Sequence, residues 1–493
     1  MKISFINPYK YGLPNIGLAY VISAVEKAGH HSYLIDLCFN KQNDIRYVIQ
    51  KIEEQRPEII GFSTCTLSYQ KCREIAKVIR AKLPKILLVW GGIQPTILPE
   101  ETIKDSLVDV LCIGEGELTF PMFLNRLSQN KETLIPGIWY KKNGNIIRTH
   151  PNHFIENLDS VPFPNWVHWE MEKYFKSGSV PGNLLILTSR GCSFDCSFCS
   201  ADSIRKSCKG KYYRTRSAEN IIREIELNLN IYGRKLTTVL FGDEVFGFNR
   251  ELFKDLMALY VKRGLHKRLP WMCQTRADII TEEWARSANR AGCIFISTGL
   301  ETGNEKMREK TFNKGISNGA FIRAINNLHK HNIFFSISLM FGAPEDNKKT
   351  IKESIDFANS LAPFSIKISR YIPLPTTKLC ETLREKGLIR LDKGCKDTLP
   401  CYDTFYLKSE QIDNIFFYIH IKMAIRYLKV AFLTMGWRFF IELLKFILNI
   451  DKSREMPLNI KQMSNKGAIV QRIVFKYLIK KNLHLITPLM YKQ

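Results

Sequence analysis

Short, continuously apolar blocks alternate with amphipathic stretches along most of this chain, and that alternation restricts its fold more than any other feature. Blocks of four to six apolar residues are too short for buried helices. They are also too uniform for strands with one wet face. They read as parallel strands covered on both sides. The first series runs through residues 1–135, with strands at 3–6, 32–36, 59–63, 86–90 and 110–113 and helices at about 17–28 and 68–82. Its later strands end in Gly91-Gly92 and in Gly114-Glu115-Gly116-Glu117. Open α/β sheets bind ligands at the carboxyl ends of their strands. A connecting segment, 136–180, holds a small hairpin around Asn143-Gly144 and a proline-marked linker at 158–164. A second series occupies 181–390, with strands at 184–187, 238–241, 271–274, 294–298, 335–340 and 366–368. Six β/α units with right-handed crossovers curl into a barrel or partial barrel. From 391 to 493 the pattern changes to apolar, basic helices. The expected class is α/β: a Rossmann-like domain, a partial (β/α)6 barrel, and a helical C-terminal region.

The formal net charge is +25. Such a surplus favours anionic partners, namely phosphate-bearing cofactors, nucleic acid or an anionic membrane. A uniformly lysine-rich surface would give the same total. Thirteen cysteines, an odd number with three of them clustered, argue for metal or redox chemistry over a disulfide framework. No charge-free apolar run reaches the ~20 residues of a spanning helix. No small-residue cleavage site follows Met1-Lys2-Ile3-Ser4-Phe5-Ile6-Asn7-Pro8. The expectation is a cytoplasmic protein, with peripheral contact on the inner membrane face as a further option.

Cys192, Cys196 and Cys199 fall within eight residues on a loop that follows a strand, in Arg190-Gly191-Cys192-Ser193-Phe194-Asp195-Cys196-Ser197-Phe198-Cys199. Three thiolates on a four-iron cubane leave one iron without a protein ligand. That iron can chelate the amine and carboxylate of S-adenosylmethionine. A structural zinc would need a fourth ligand. The nearest thiol is Cys208, nine residues on, and no histidine lies close.

With an aromatic residue before its last cysteine, this motif resembles the radical S-adenosylmethionine superfamily, and the resemblance covers roughly 180–385. It implies a 4Fe-4S cluster on Cys192, Cys196 and Cys199, with Phe198 near the adenine. Gly242-Asp243-Glu244 is similar to the strand-two motif that holds the methionine amine, with Asp243 in place of a more usual glycine. Gly299-Leu300-Glu301-Thr302-Gly303 resembles the strand-four segment, which gives Glu301 the ribose hydroxyls. Ser338-x-Met340-x-Gly342-x-x-Glu345 resembles the strand-five motif, which puts Met340 against the adenine. The segment Tyr371-Ile372-Pro373-Leu374-Pro375-Thr376-Thr377 matches the strand-six exit, with Thr376 where glycine is common.

In the first series, the words Leu13-Pro14-Asn15-Ile16-Gly17, Trp90-Gly91-Gly92-Ile93-Gln94-Pro95-Thr96 and Gly114-Glu115-Gly116-Glu117 together resemble the cobalamin-binding domain fused to radical enzymes. The resemblance implies that Gly91 and Gly92 lie against the nucleotide tail of a corrinoid, and that Ser63 and Thr64 line the same pocket. No Asp-x-His-x-x-Gly occurs, so the cobalt is expected to lack a histidine lower ligand. His30 and His31 open a strand at the opposite end and read as structural. Gln94 stands where relatives often have histidine.

Together the two resemblances imply reductive cleavage of S-adenosylmethionine to a 5′-deoxyadenosyl radical, used for C-methylation of an unactivated carbon. The alternative is a non-methylating cyclisation or rearrangement. Transfer RNA modification is disfavoured, because Cys38, Cys65, Cys72 and Cys112 are scattered and do not form a second triad. The implied partners are a small-molecule or lipid substrate and a flavodoxin- or ferredoxin-type electron donor; nucleic acid is not favoured. Cys380, Cys395 and Cys401 are loosely spaced and read as buried or free thiols before an auxiliary cluster. In the C-terminal region Phe416, Ile419, Met423, Tyr427, Val430 and Leu433 form an apolar helical stripe. Residues 421–493 hold fourteen Lys and Arg against three Asp and Glu, a net of +11. Such a helix fits an anionic membrane surface, or it packs on the barrel with its lysines in water.

Overall fold

The computed structural model describes residues 1–10, 12–40, 44–177, 180–390, 401–416 and 419. The apolar stripe beyond Ile419, and Cys395, lie outside the described residues. No helix among the described residues is long and apolar enough to cross a membrane.

The first sheet has seven strands: β1 (Lys2–Asn7), β2 (His31–Asp36), β3 (Ile59–Thr64), β4 (Leu87–Gly92), β5 (Val110–Cys112), β6 (Ile138–Lys142) and β7 (Asn145–Ile147). Their order is β2-β1-β3-β4-β5-β6-β7. The first five run parallel, and β6 and β7 add antiparallel to β5. The hairpin expected in the connecting segment is therefore an extension of this sheet, because the chain turns back beside β5 after the helix Gly116–Ser128. Both faces are dry. Ile3, Phe5, Val89 and Val110 pack with Leu18, Ile22 and Phe120 on one side. Ile6, Ile60, Leu88 and Leu111 pack with Val48, Ile52, Ile75 and Ile79 on the other. This two-sided burial is why the strands carry no polar alternation.

The linker straps back over the first unit. Asn165 N donates to Ser23 Oγ at 2.7 Å, His168 Nε2 pairs with Glu26 at 2.5 Å, and Tyr174 OH donates to Asp36 at 2.6 Å. The second sheet follows: β8 (Asn183–Ile186), β9 (Thr238–Phe241), β10 (Trp271–Gln274), β11 (Cys293–Glu301), β12 (Phe334–Phe341) and β13 (Ser365–Arg370). All six are parallel, in the order β13-β12-β11-β10-β9-β8. Each crossover passes through helices on the outer face, whose apolar side meets Val239, Ile296, Ile337 and Leu339. β8 and β13 are the two edges, so among the described residues the barrel is partial.

Candidate active site between the two sheets

The loop after β8 is built to hold its cysteines still. Ser189–Arg190 pairs antiparallel with Arg214–Thr215. Gly191 has φ +84°, and a Cβ there would sit 2.2 Å from Tyr212 O, so only glycine fits the turn into Cys192. Arg205 donates to Cys192 O at 2.8 Å and to Phe194 O at 3.2 Å, and it ion-pairs with Asp195. Ser197 N donates to Phe312 O at 3.0 Å, and Cys199 N donates to Cys196 O at 3.0 Å. The Arg276 guanidinium lies 3.5 Å from the Phe194 ring centroid and 4.0 Å from Cys196 Sγ. Burial pushes all three thiols up. The Arg276 cation opposes this at Cys192 and Cys196, and the Lys314 cation at Cys196 and Cys199.

Cys208 does not join them. Its Sγ lies 2.4 Å from where a Cβ of Gly114 would be, pressed against the first unit. Among the described residues no three His, Cys, Asp or Glu side chains converge tightly enough to hold a single metal ion. Three thiols on one loop, flanked by two cations and with no fourth thiol beside them among the described residues, suit a larger anionic body such as a cubane with one open iron.

Gly242, Asp243 and Glu244 follow β9. Gly242 lets the chain cross Leu185, whose Cδ1 would be 2.5 Å from a Cβ. Asp243 departs from the expectation that it meets a cofactor. It is fully buried and accepts from Thr188 N at 3.0 Å, Thr188 Oγ1 at 2.9 Å, Ser189 N and Ser189 Oγ. Its carboxylate is spent on the strand that carries the cysteine loop. Glu244 is exposed to the cavity between the two sheets. Burial pushes its carboxyl up to about 7, with the Asp243 charge adding to the effect. Glu301 ends β11 at φ +64°, and its Oε1 accepts from Lys314 Nζ at 2.7 Å. Phe198 and Met340 are half-buried against one apolar cluster, with Phe198 edge-on to Phe312 at 5.5 Å between ring centroids.

A cavity of about 440 Å³ separates the carboxyl end of the first sheet from the cysteine loop. Gly17, Gly91, Gly92, Gly114 and Gly116 line its first wall together with Ser63, and Arg190, Tyr212, Arg214 and Glu244 line the facing one. Ser63 Oγ accepts from Asn15 Nδ2 at 3.1 Å. Thr64 does not line the cavity as expected. It is buried, and its Oγ1 donates to Gly91 O at 3.0 Å, which ties β3 to β4. Gly92, at φ +94°, would carry a Cβ 2.5 Å from Thr64 O. The neighbouring Gln94 keeps Oε1 buried without a partner among the described residues. Glycines among apolar side chains such as Ile16, Phe62 and Val89, facing a wall with Arg190 and Arg214, suit a bulky flat ligand, and among the described residues no histidine lines the cavity. His30 is structural: its ring nitrogens meet the N-terminal amine at 3.3 Å and Asn125 Oδ1 at 3.0 Å.

Sequence reasoning gave no role to the ion pairs that close this seam. Arg214 reaches Glu115 through two bonds of 2.8 and 2.9 Å, and Arg190 meets Glu117 at 2.7 Å. The position of Arg190 immediately before Gly191-Cys192, and the paired glutamates at a strand end, were the available signals.

Residues 5–124 match the B12 binding domain family, and residues 186–358 match the radical SAM superfamily. With the sites above, these matches make the chain a cobalamin-binding radical S-adenosylmethionine enzyme, whose cofactors are cobalamin, a 4Fe-4S cluster and S-adenosylmethionine. It is 29% identical over 428 residues to an uncharacterized methyltransferase of Pyrococcus horikoshii, covering 84% of this chain and 89% of that one. It is 26% identical to the anaerobic magnesium-protoporphyrin IX monomethyl ester cyclase of Cereibacter sphaeroides, over 78% of this chain and 64% of that enzyme. Its fold is like that of the radical S-adenosylmethionine methyltransferase TsrM from Kitasatospora setae, solved with cobalamin and a [4Fe-4S] cluster bound. That likeness has a TM-score of 0.66 at 19% identity, covering 80% of this chain and 76% of that one.

Proposed function

We propose that the chain is a cobalamin-dependent radical methyltransferase that methylates an unactivated carbon of a small molecule, with Cys192, Cys196 and Cys199 as the cluster ligands. The observation that supports this reading is the cavity whose glycine-lined wall faces the start of the cysteine loop at Arg190 and Gly191. When bound, a cluster with one open iron supplies reductive cleavage of S-adenosylmethionine, and a corrinoid supplies the methyl group.

The chain's own residues hold the parts. Arg205 and Asp243 fix the loop from both ends. Glu244 takes the methionine amine of S-adenosylmethionine, and Glu301, oriented by Lys314, takes the ribose hydroxyls. Phe198 and Met340 flank the adenine. Gly91, Gly92 and Ser63 receive the corrinoid tail. The alignment with the Pyrococcus horikoshii methyltransferase covers 84% of this chain and 89% of that protein, against 78% and 64% for the cyclase, which favours methylation over cyclisation. The electron comes from a flavodoxin- or ferredoxin-type donor.

The test is anaerobic reconstitution. Wild-type protein is expected to bind about one 4Fe-4S cluster and to form 5′-deoxyadenosine and S-adenosylhomocysteine together. Replacing Cys192, Cys196 and Cys199 by alanine should remove the iron and both products. 5′-Deoxyadenosine without S-adenosylhomocysteine, in the presence of the substrate, would favour cyclisation instead. With no histidine on the cavity wall among the described residues, paramagnetic resonance of bound cob(II)alamin should lack nitrogen superhyperfine splitting from a lower ligand. A resolved nitrogen triplet would count against the proposed corrinoid site.

A further inference from the structure

The described part of the C-terminal region does not stand apart from the barrel. Cys401–Tyr402 pairs antiparallel with Ile389–Arg390, and Asp403 N donates to Leu388 O at 3.0 Å. This pairing returns the chain to the carboxyl ends of β12 and β13. There Thr404 Oγ1 donates to Asp346 O at 3.1 Å, and Phe405 N donates to Pro344 O at 2.7 Å. Arg370, the last residue of β13, ion-pairs with Asp413 and donates to Ser409 Oγ at 2.7 Å. Residues 402–413 thus strap the turn after β12 to the end of β13.

Tyr402 carries this strap to the site. It is buried in one apolar cluster with Phe312, Ala343 and Tyr371, and Phe198 and Met340 pack against that cluster. Its hydroxyl donates to Tyr371 O at 2.6 Å, and Tyr371 N donates to Phe341 O at 2.7 Å. One chain of bonds therefore runs from Tyr402, through the exit of β13, to the last residue of β12. Gly342 follows at φ +92°, and a Cβ there would lie 2.6 Å from the Tyr402 hydroxyl oxygen. The glycine supplies the left-handed turn, and the phenol occupies the space its side chain would take. The Arg370 guanidinium lies 5.0 Å from the Tyr402 ring centroid and holds the ring from the strap's other anchor.

We propose that Tyr402 is a positioning residue for S-adenosylmethionine: it fixes the Gly342 turn and the Tyr371 carbonyl, and through them the wall of Phe198 and Met340 that receives the adenine. This rests on the placement of the adenine at Phe198 and Met340 in the proposed function. Tyr402 acts through its neighbours and takes no part in the reaction. Among the described residues its hydroxyl bonds neither Glu244 nor the three cysteines, which hold the methionine end of the cofactor. Loss of the hydroxyl therefore loosens the adenine end alone. The start of the C-terminal region is in this way a part of the cofactor site, whatever the rest of that region meets.

The test compares two variants of the reconstituted full chain, each losing one phenol that donates to a backbone carbonyl. One is Tyr402→Phe. The other is Tyr260→Phe, on the outer helix Arg250–Lys262, whose hydroxyl donates to Leu269 O at 2.7 Å. Equilibrium dialysis gives the Kd of S-adenosylmethionine and its displacement by 5′-deoxyadenosine and by methionine. Tyr402→Phe is expected to raise the Kd about fivefold, the loss of one neutral hydrogen bond felt in binding. The constant for 5′-deoxyadenosine should rise by the same factor, and that for methionine should not move. Thr404→Val, which loosens the same turn, should act in the same direction. Tyr260→Phe should lower the unfolding midpoint to a similar degree and leave all three constants alone. An unchanged Kd in Tyr402→Phe, an equal rise for methionine, or an equal rise in Tyr260→Phe would overturn the proposal. Met340→Ala separates it from the adenine placement. If Met340→Ala weakens 5′-deoxyadenosine and Tyr402→Phe does not, the placement stands and the proposal falls. If Tyr402→Phe alone weakens it, the placement at Met340 falls and Tyr402 keeps its role.

Discussion

Asp243 and Glu244 are neighbours with opposite tasks, and the difference follows from alternation at a strand end. Two consecutive side chains leaving β9 cannot both face the barrel. Asp243 turns back to Thr188 and Ser189, and Glu244 opens to the cavity. Asp243→Asn keeps the shape but sets an amide N–H₂ against donors. It is expected to cost about 2–3 kcal/mol of stability and to lower iron retention, because a buried donor is left without an acceptor. Glu244→Gln should leave iron content and unfolding unchanged, and weaken S-adenosylmethionine binding about tenfold, the loss of one charge-assisted bond. Iron per chain, a denaturant titration and equilibrium dialysis separate the two outcomes; equal effects in both variants would refute the division of labour. The cysteine triad was legible because its chemistry is local in sequence. The role of Asp243 was not, because the motif names positions and says nothing of which neighbour a carboxylate meets.

Among the elements, the turn after β12 carries a buried charge whose behaviour is specific. Asp346 Oδ2 accepts from Gly342 N at 2.8 Å and Ala343 N at 3.1 Å, and Thr350 Oγ1 donates to Oδ1 at 2.9 Å. Burial nevertheless pushes its carboxyl up to about 6. A raised carboxyl pKa means that the folded state binds the proton more tightly than the unfolded chain does. The stabilisation is complete below the unfolded pKa near 4 and is lost as pH rises through about 6. Asp346→Asn removes that dependence. Relative to wild type, the variant should gain stability between pH 4 and pH 7, by up to about 3 kcal/mol. Urea unfolding at several pH values checks the sign, and a pH-independent difference would show that Asp346 stays ionised throughout. The strands themselves were largely readable, since two-sided burial leaves long apolar runs. β11 was read short at its carboxyl end, because Glu301 enters the strand through an irregularity at positive φ that no apolar pattern signals. The hairpin β6–β7 was read, but its attachment to β5 was not, since antiparallel pairing to a distant edge leaves no local trace.

At the scale of the whole molecule, the two sheets face each other across a seam closed by buried charges. Burial alone would raise Glu115, but Arg214 and Arg190 hold its carboxyl below the usual carboxylate range. Arg214 is 4% exposed and Glu115 14%, and Arg214 Nη1 also donates to Ile155 O at 2.8 Å. Arg190 adds Glu117 on the helix that follows β5, and its guanidinium lies 4.8 Å from the Tyr20 ring centroid. These contacts run from the carboxyl end of the first sheet to the residue next to Gly191, so the seam sets the distance between the glycine-lined wall and the cysteine loop. A network of this kind adds little net stability but fixes geometry, since the cost of desolvating the ions offsets much of their attraction. Breaking it from one side is therefore far worse than removing it whole. Arg214→Met should destabilise the protein by about 3 kcal/mol, since the Glu115 carboxylate loses its two-bonded partner and keeps only Arg190 at 3.3 Å and the Ile155 N–H at 2.7 Å. It should also lower cobalamin retention before iron retention, because the cavity opens at the seam while the cysteine loop keeps Arg205 and Asp243. Arg214→Met combined with Glu115→Gln should recover most of the stability, as neighbours sharing one bond are not additive, but not the cobalamin retention. Calorimetry of the two variants with cobalamin and iron assays checks this. If the double variant regained full cobalamin binding, the ion pairs would serve stability alone and the spacing of the two halves would have to be set by the apolar contacts of the linker.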